Sequence, residues 1–182
     1  MNRSLFITIH LYLSSFFAAA VLLVATSGGL YLSGYKGSSE TVSVGELPKD
    51  AYALPESASV EDVQKILAAA GVEGFDFEYV RQSGGGSVAI TRPTSRPYYR
   101  IDASGSSIEV SRVVPNLQAR MMELHMGHGP TSFKTFQKFF ALGMLFIILS
   151  GLWLGLSSAR LRRNTGMAAG TGLAVFLLLV LL

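Results

Sequence analysis

The stretch LFITIHLYLSSFFAAAVLLVATSGGLYLSG, residues 5–34, runs its whole length without one permanent charge. About 20 apolar residues cross the hydrocarbon core of a bilayer, so this segment is long enough to span it. It is also much longer than the roughly 7 to 15 residues of a signal-peptide core. The small residues of ATSGG (25–29) offer a place for processing. The length nonetheless predicts a retained helix.

Two further charge-free runs follow, between Lys138 and Arg160 and from Asn164 to Leu182. The whole chain agrees with a membrane class: of 182 residues 49% are hydrophobic and only 15% charged, and the mean hydropathy is +0.40. Basic residues at the span ends set the expected orientation. Arg3 precedes the first helix, and Arg160, Arg162 and Arg163 lie between the second and third, so both places should face the cytoplasm of a bacterial inner membrane. The N-terminus is then cytoplasmic, residues 35–134 are periplasmic, and the C-terminus ends on the periplasmic side. Lys134 and Lys138 run against this rule.

The net charge of +3 carries no nucleic-acid signal. Residues 36–113 hold eight Lys or Arg against eleven Asp or Glu, so the exported part is mildly acidic and has no basic stripe. Absence of cysteine excludes disulfides, Fe–S clusters, c-type haem attachment and thiol nucleophiles. GGG at 84–86 is followed by neither a lysine nor a helix, so it is no phosphate loop. Glu61 and Asp62 read as charges at a helix start, and Glu73, Asp76 and Glu78 as a solvated strand face. No Ser/His/Asp order is evident. Tyr31 and Trp153 sit at span ends and read as interfacial anchors.

Between the first two spans the periodicity changes. GYKGSSETVSVGELPKDAYALP (34–55) is polar and Pro-punctuated, like a tether. SASVEDVQKILAAAG (57–71) offers Ser57 or Ser59 as a cap, an apolar face of Val60, Val63, Ile66 and Leu67, and Gly71 as a stop. GFDFEYVRQ (74–82) then alternates with period 2 and turns through GGG into SVAITRP (87–93). A second hairpin follows in RPYYRIDASGSSIEVSRV (96–113), its turn bracketed by Asp102 and Gly105. The expected domain is one helix laid across four antiparallel strands, about 60 residues and marginal alone. PNLQARMMELHMGHGP (115–130) reads as an amphipathic interfacial helix with Leu117, Met121, Leu124 and Met122 on its apolar side.

The expected fold class is therefore membrane α-helical, with three transmembrane helices and a small α+β extracytoplasmic domain. Its parts are transmembrane helix 1 (1–34), linker (35–56), extracytoplasmic domain (57–114), interfacial segment (115–134), transmembrane helix 2 (135–158), cytoplasmic basic loop (159–165) and transmembrane helix 3 (166–182). Small residues at four-residue spacing mark helix-packing faces: Ser14 with Ala18, Ser15 with Ala19, Ala25 with Gly29, Gly151 with Gly155, and Gly166 with Gly170.

SVEDVQKILAAAG (59–71), the hairpins and YYRIDASGSSIEV (98–110) together resemble a PepSY domain. IHLYLSSFFAAAVLLVATSGGLYL (9–32) and ELHMGHGPTSFKTFQKFFALGMLFIILSGLWLGL (123–156) resemble PepSY-associated transmembrane helices, which tend to begin with a His and end in a Thr/Ser-Gly-Leu-aromatic-Leu run. Such runs stand here at Ser27–Leu32 and Ser150–Leu154. The resemblance covers about residues 5–160. Larger relatives carry two copies of this helix, domain, helix unit, and some are ferrisiderophore reductases that hold haem between membrane-helix histidines. This chain has one copy plus an extra helix.

The histidines are the candidate ligands. His10 is an ionisable residue inside the first span, a functional candidate by default. His125 and His128 stand one turn apart and share a face only if the helix continues to 128, whereas Gly127, Gly129 and Pro130 argue that it breaks there and that the pair is a polar helix end. With only Glu123 nearby, they fall short of the four ligands of a structural zinc site. His10 is expected on the inner side and His125 and His128 on the outer, separated by most of a ~30 Å hydrocarbon core. One copy then cannot clamp a haem, whereas a two-fold dimer would pair His10 with His10 and His125 with His125 as a two-haem relay. The expected function is a non-catalytic accessory or assembly subunit of a larger, perhaps respiratory, membrane complex, with the lipid bilayer and that complex as partners and no resident cofactor. The alternative is a homodimeric haem b electron-transfer protein, and a third, a peptidase-regulating module, follows only from the association of PepSY domains with protease propeptides.

Overall fold

The computed structural model describes residues 3–182. Three helices are long and apolar enough to cross a membrane: α1 (Arg3–Leu32), α4 (Thr131–Leu156) and α5 (Arg162–Leu181). Between α1 and α4 come β1 (Ser39–Pro48), α2 (Val60–Ala69), β2 (Tyr79–Ser83), β3 (Val88–Arg92), β4 (Tyr98–Asp102), β5 (Ser107–Pro115) and α3 (Leu117–His125). The described chain divides into two compact units, residues 3–20 with 138–182, and residues 21–137.

The second unit contains a five-stranded antiparallel sheet in the order β1-β5-β4-β3-β2. Its helix α2 starts with a full capping box. The Ser59 hydroxyl accepts from Asp62 N–H at 3.1 Å, and the Asp62 carboxylate accepts from Ser59 N–H at 3.0 Å. The helix buries Val63, Ile66 and Leu67 against Ala89, Tyr99, Ile101, Ile108 and Val110 of the sheet. Gly71, at φ +84°, terminates it in a conformation that side chains rarely adopt.

The expected linker 35–56 is corrected here. Ser39–Pro48 is an edge strand rather than a tether, and the sheet has five strands rather than four. Its TVSVGEL core alternates, but Ser, Gly and Pro around it read as loop. β4 pairs only one edge of β5, so the backbone groups along its other edge are open, and β1 satisfies them over Ser39↔Pro115 to Pro48↔Ser107. Leu47 joins the core from this strand. Phe75 and Phe77 lie before β2 rather than in it; Phe77 is buried and Phe75 meets Tyr99 edge to face at 4.7 Å. In α3 the buried apolar residue is Met122, while Leu117 is 74% exposed. The helix α4 begins four residues earlier than the expected span, and Arg162 and Arg163 belong to the first turn of α5 instead of a loop.

Within the first unit, a Cβ on Gly143 would stand 2.2 Å from the buried Phe17 ring, so the α1–α4 approach at this point needs a glycine. Gly151 faces the His10 ring, and Gly155 faces Thr165. Of the expected packing residues, a Cβ added at Gly29 or Gly170 would meet nothing within 4 Å, and one at Gly166 only Leu156. Ser14 bonds its own helix, donating to His10 O at 2.7 Å.

Candidate functional site

Two histidines, one in each unit, are held in the same way. In the first unit the His10 Nδ1 lies 2.8 Å from the Ser150 hydroxyl, and Ser150 is 4% exposed. That hydroxyl donates its only proton to Ile147 O at 3.1 Å, one turn back along α4. With that proton on Ile147 O, the imidazole donates through Nδ1–H and Nε2 keeps its lone pair. Gly151, next in the chain, lets the ring lie against α4, with a Cβ there only 3.3 Å from His10 Cε1.

In the second unit the His125 Nδ1 lies 3.0 Å from the hydroxyl of Ser27, which is fully buried. Ser27 Oγ also lies 3.3 Å from Val24 O, and with its proton there this imidazole is likewise the Nδ1–H donor. Gly28 takes the part of Gly151, its Cβ position 3.3 Å from His125 Cε1. Among the described residues neither Nε2 has a hydrogen-bond partner, and both keep accessible surface. Each imidazole is oriented through one nitrogen and open at the other, the arrangement a metal-ligating histidine requires.

His128 does not share a face with His125. Helix α3 ends at His125, and Gly127 at φ +76° reverses the chain in a Schellman turn: His128 N–H donates to Glu123 O at 2.8 Å and Gly127 N–H to Leu124 O at 3.1 Å. The His128 ring turns back to the Glu123 carboxylate, Nδ1 to Oε2 2.9 Å. That same oxygen also receives Arg92 Nη1 at 3.3 Å and the Thr94 hydroxyl. Burial and the charge of Glu123 push the Tyr98 phenol beside this group up from its ordinary value. No group of three or more His, Cys, Asp or Glu that could hold a metal occurs among the described residues.

Sequence reasoning found His10 and His125 but missed Ser27, Ser150, Gly28 and Gly151 as their holders. The signal was present in the two Ser-Gly runs, read there only as a helix-end pattern. It missed Arg92, Thr94 and Glu123 as a group because Glu123 stands 31 residues from Arg92 and 29 from Thr94.

Glu78 contributes a separate anchor. Its carboxylate accepts from Thr131 N–H at 2.7 Å and from the Thr131 hydroxyl at 2.5 Å, closing the first turn of α4. These two bonds, the hydroxyl's first, hold the Glu78 carboxyl below its ordinary value. A lowered folded-state pKa gives stability that is complete above the unfolded value of about 4.3 and lost as pH falls through the folded one. Melting in detergent between pH 6 and pH 3 is therefore expected to show a flatter acid loss for Glu78→Gln than for wild type, with the variant less stable by under about 1 kcal/mol at neutral pH. Parallel acid profiles would contradict this.

Compared with protein-family models, curated proteins and solved structures, the chain matches none of them.

Proposed function

We propose that this chain is a PepSY-type inner-membrane electron-transfer protein that holds haem b between two copies of itself. The observation that supports the reading most is the pair of buried serines, Ser27 and Ser150, each holding a histidine through Nδ1 and leaving Nε2 without a hydrogen-bond partner among the described residues. These residues fit half of a bis-imidazole set. The other half would be the same histidine of a second copy, His10 facing His10 and His125 facing His125 across a two-fold axis. Haem bound there would supply one-electron transfer. The chain's own part is to orient the imidazoles and to surround them with apolar helices, including the Phe6–Trp153 ring contact at 4.9 Å in the unit of His10. The basic residues Arg3, Arg160, Arg162 and Arg163 support the reading that their ends face the cytoplasm and the sheet the periplasm.

Protein made with ample haem and purified in detergent is expected to show a reducible b-type spectrum at about one haem per two chains for each histidine set. His10→Ala and His125→Ala should each remove one component. A dimer with no Soret band would refute the reading.

The accessory-subunit reading has its own support in α5. Its Leu173, Phe176, Leu178 and Leu179 are all at least 59% exposed, and Gly170 faces open space. A colourless protein that purifies with a larger membrane complex would favour that role.

A further inference from the structure

We propose that Glu123 is a positioning residue for His125: gripped by Arg92, Thr94 and His128, its carboxylate sets the rotation of α3 and hence the direction of the His125 Nε2. The proposal rests on the reading of His125 as a haem ligand.

Helix α3 has nine residues, too few to hold its own shape or orientation in isolation. Successive residues lie about 100° apart around a helix, so side chains at 123 and 125 leave on nearly opposite sides. His125 goes to Ser27 of α1, and Glu123 goes to Arg92 at the end of β3 and to Thr94 just after it. Gln118, seven residues before His125 and so within about 20° of its line, follows the histidine's side. Its amide donates to Ser27 O at 3.2 Å and Tyr35 O at 3.1 Å. Past the helix, the Gln137 amide donates to Leu124 O at 2.7 Å. The α1 side of α3 is therefore tied by these side chains; on the sheet side Arg120 Nε donates to Pro115 O at 2.9 Å, and the Glu123 carboxylate is the tie near the helix end.

That carboxylate is itself held in place. Its Oε2 meets the three donors, the Arg92 side chain is 10% exposed, and Thr94 N–H donates to His128 O at 3.2 Å, closing the group into a ring. Without it the last turn of α3 loses its side-chain tie to Arg92 and Thr94, and Arg120 to Pro115 O holds only the turn before. A turn of about 20° about the axis moves an atom at the ~5 Å outer radius of a helix by about 2 Å. Hydrogen-bond lengths vary by much less than that, so the Ser27 contact would break and Nε2 would point elsewhere. His128 on this account is a holder of Glu123 rather than a ligand.

Two variants test this: Glu123→Leu, which removes the grip, and Glu123→Gln, which keeps one acceptor oxygen and protects against a failure to fold. The first readout needs no haem. In histidine-labelled protein, the Nδ1–H resonance of His125, protected by Ser27, is expected to broaden or vanish in Glu123→Leu and to weaken in Glu123→Gln, while that of His10, which belongs to the other unit, stays. Ser59→Ala, destabilised far from α3, should leave both resonances. The second readout is haem affinity, expected to fall at least tenfold for the His125 component alone, with an altered low-spin EPR signal. Unchanged His125 signals in Glu123→Leu, or equal loss of the His10 and His125 signals in a Glu123→Gln protein that melts like wild type, would overturn the positioning role. A wild type that takes up no haem removes the haem reading but leaves the resonance test standing.

Discussion

Gly143→Val is expected to destabilise the α1–α4 pair by about 2–3 kcal/mol, the usual result of forcing extra atoms into a packed contact. A Cβ at 143 would fall 2.2 Å from Phe17 Cε2 and 2.8 Å from its Cδ2, well inside any tolerable contact. The ring cannot simply step aside, because Phe17 is 4% exposed and packs against Phe140 with centroids 5.6 Å apart. Either the ring must leave its rotamer or the helices must separate. Between apolar helices in lipid, close backbone approach is itself a main source of affinity, so separation forfeits it. Phe17→Ala opens the space, and the double variant Phe17→Ala/Gly143→Val should be less destabilised than the two single effects summed, by about 1–2 kcal/mol. Reversible unfolding in mixed detergent measures the cycle. Strict additivity would place the two residues out of contact.

Arg92→Met and Glu123→Leu are each expected to lower the stability of the second unit by about 3 kcal/mol, and the two together by much less than the sum. Side-chain exposure is 10% for Arg92 and 25% for Glu123, so removing one partner leaves the other charged and largely out of water, Arg92 with the Thr94 hydroxyl alone and Glu123 with Thr94 and His128. Arg92 Nε already has no hydrogen-bond partner, which makes the Nη1 contacts to Glu123 and Thr94 the more important. The pair Arg100–Asp102 makes the contrast. At 2.7 Å it is shorter than the 3.3 Å of Arg92–Glu123, yet the Arg100 side chain is 51% exposed. Replacing it should change stability by less than about 1 kcal/mol, because water already solvates and screens the charges. Thermal melts of the four variants decide whether burial or distance ranks these pairs.

The readings that held were those resting on neighbouring residues. Helix α2 was legible from Ser59, its acidic first turn, Val63, Ile66 and Leu67 at helical spacing, and Gly71, all within one short window. The β4–β5 hairpin was legible for the same reason. Its turn is set by Asp102, whose carboxylate accepts from Ser104 N–H at 3.0 Å and is lowered from its ordinary range by the Ser104 hydrogen bonds, its hydroxyl's first. β1 was missed because its claim to be a strand lies in the open edge of β5, about 70 residues further on, and not in its own Ser- and Gly-containing residues.

The candidate site shows the same division. That His10 and His125 are unusual could be read from their place in and beside apolar runs. That each meets a Ser-Gly pair could not, since the partners stand 140 and 98 residues away. His128 was separable from His125 by the helix-breaking Gly127, Gly129 and Pro130, and Gly127 does end α3 between them.

The sequence by itself determined three helices of membrane-crossing length, a capped amphipathic helix and the hairpins, because charge-free length, period and turn chemistry act over a few residues of one chain segment. Only the tertiary structure decided which serine holds which histidine, that Gly143 must be bare for Phe17, and that Glu123 collects Arg92, Thr94 and His128. Each of these depends on a choice of partner between distant segments, and that choice is made by how surfaces pack, which no local pattern encodes.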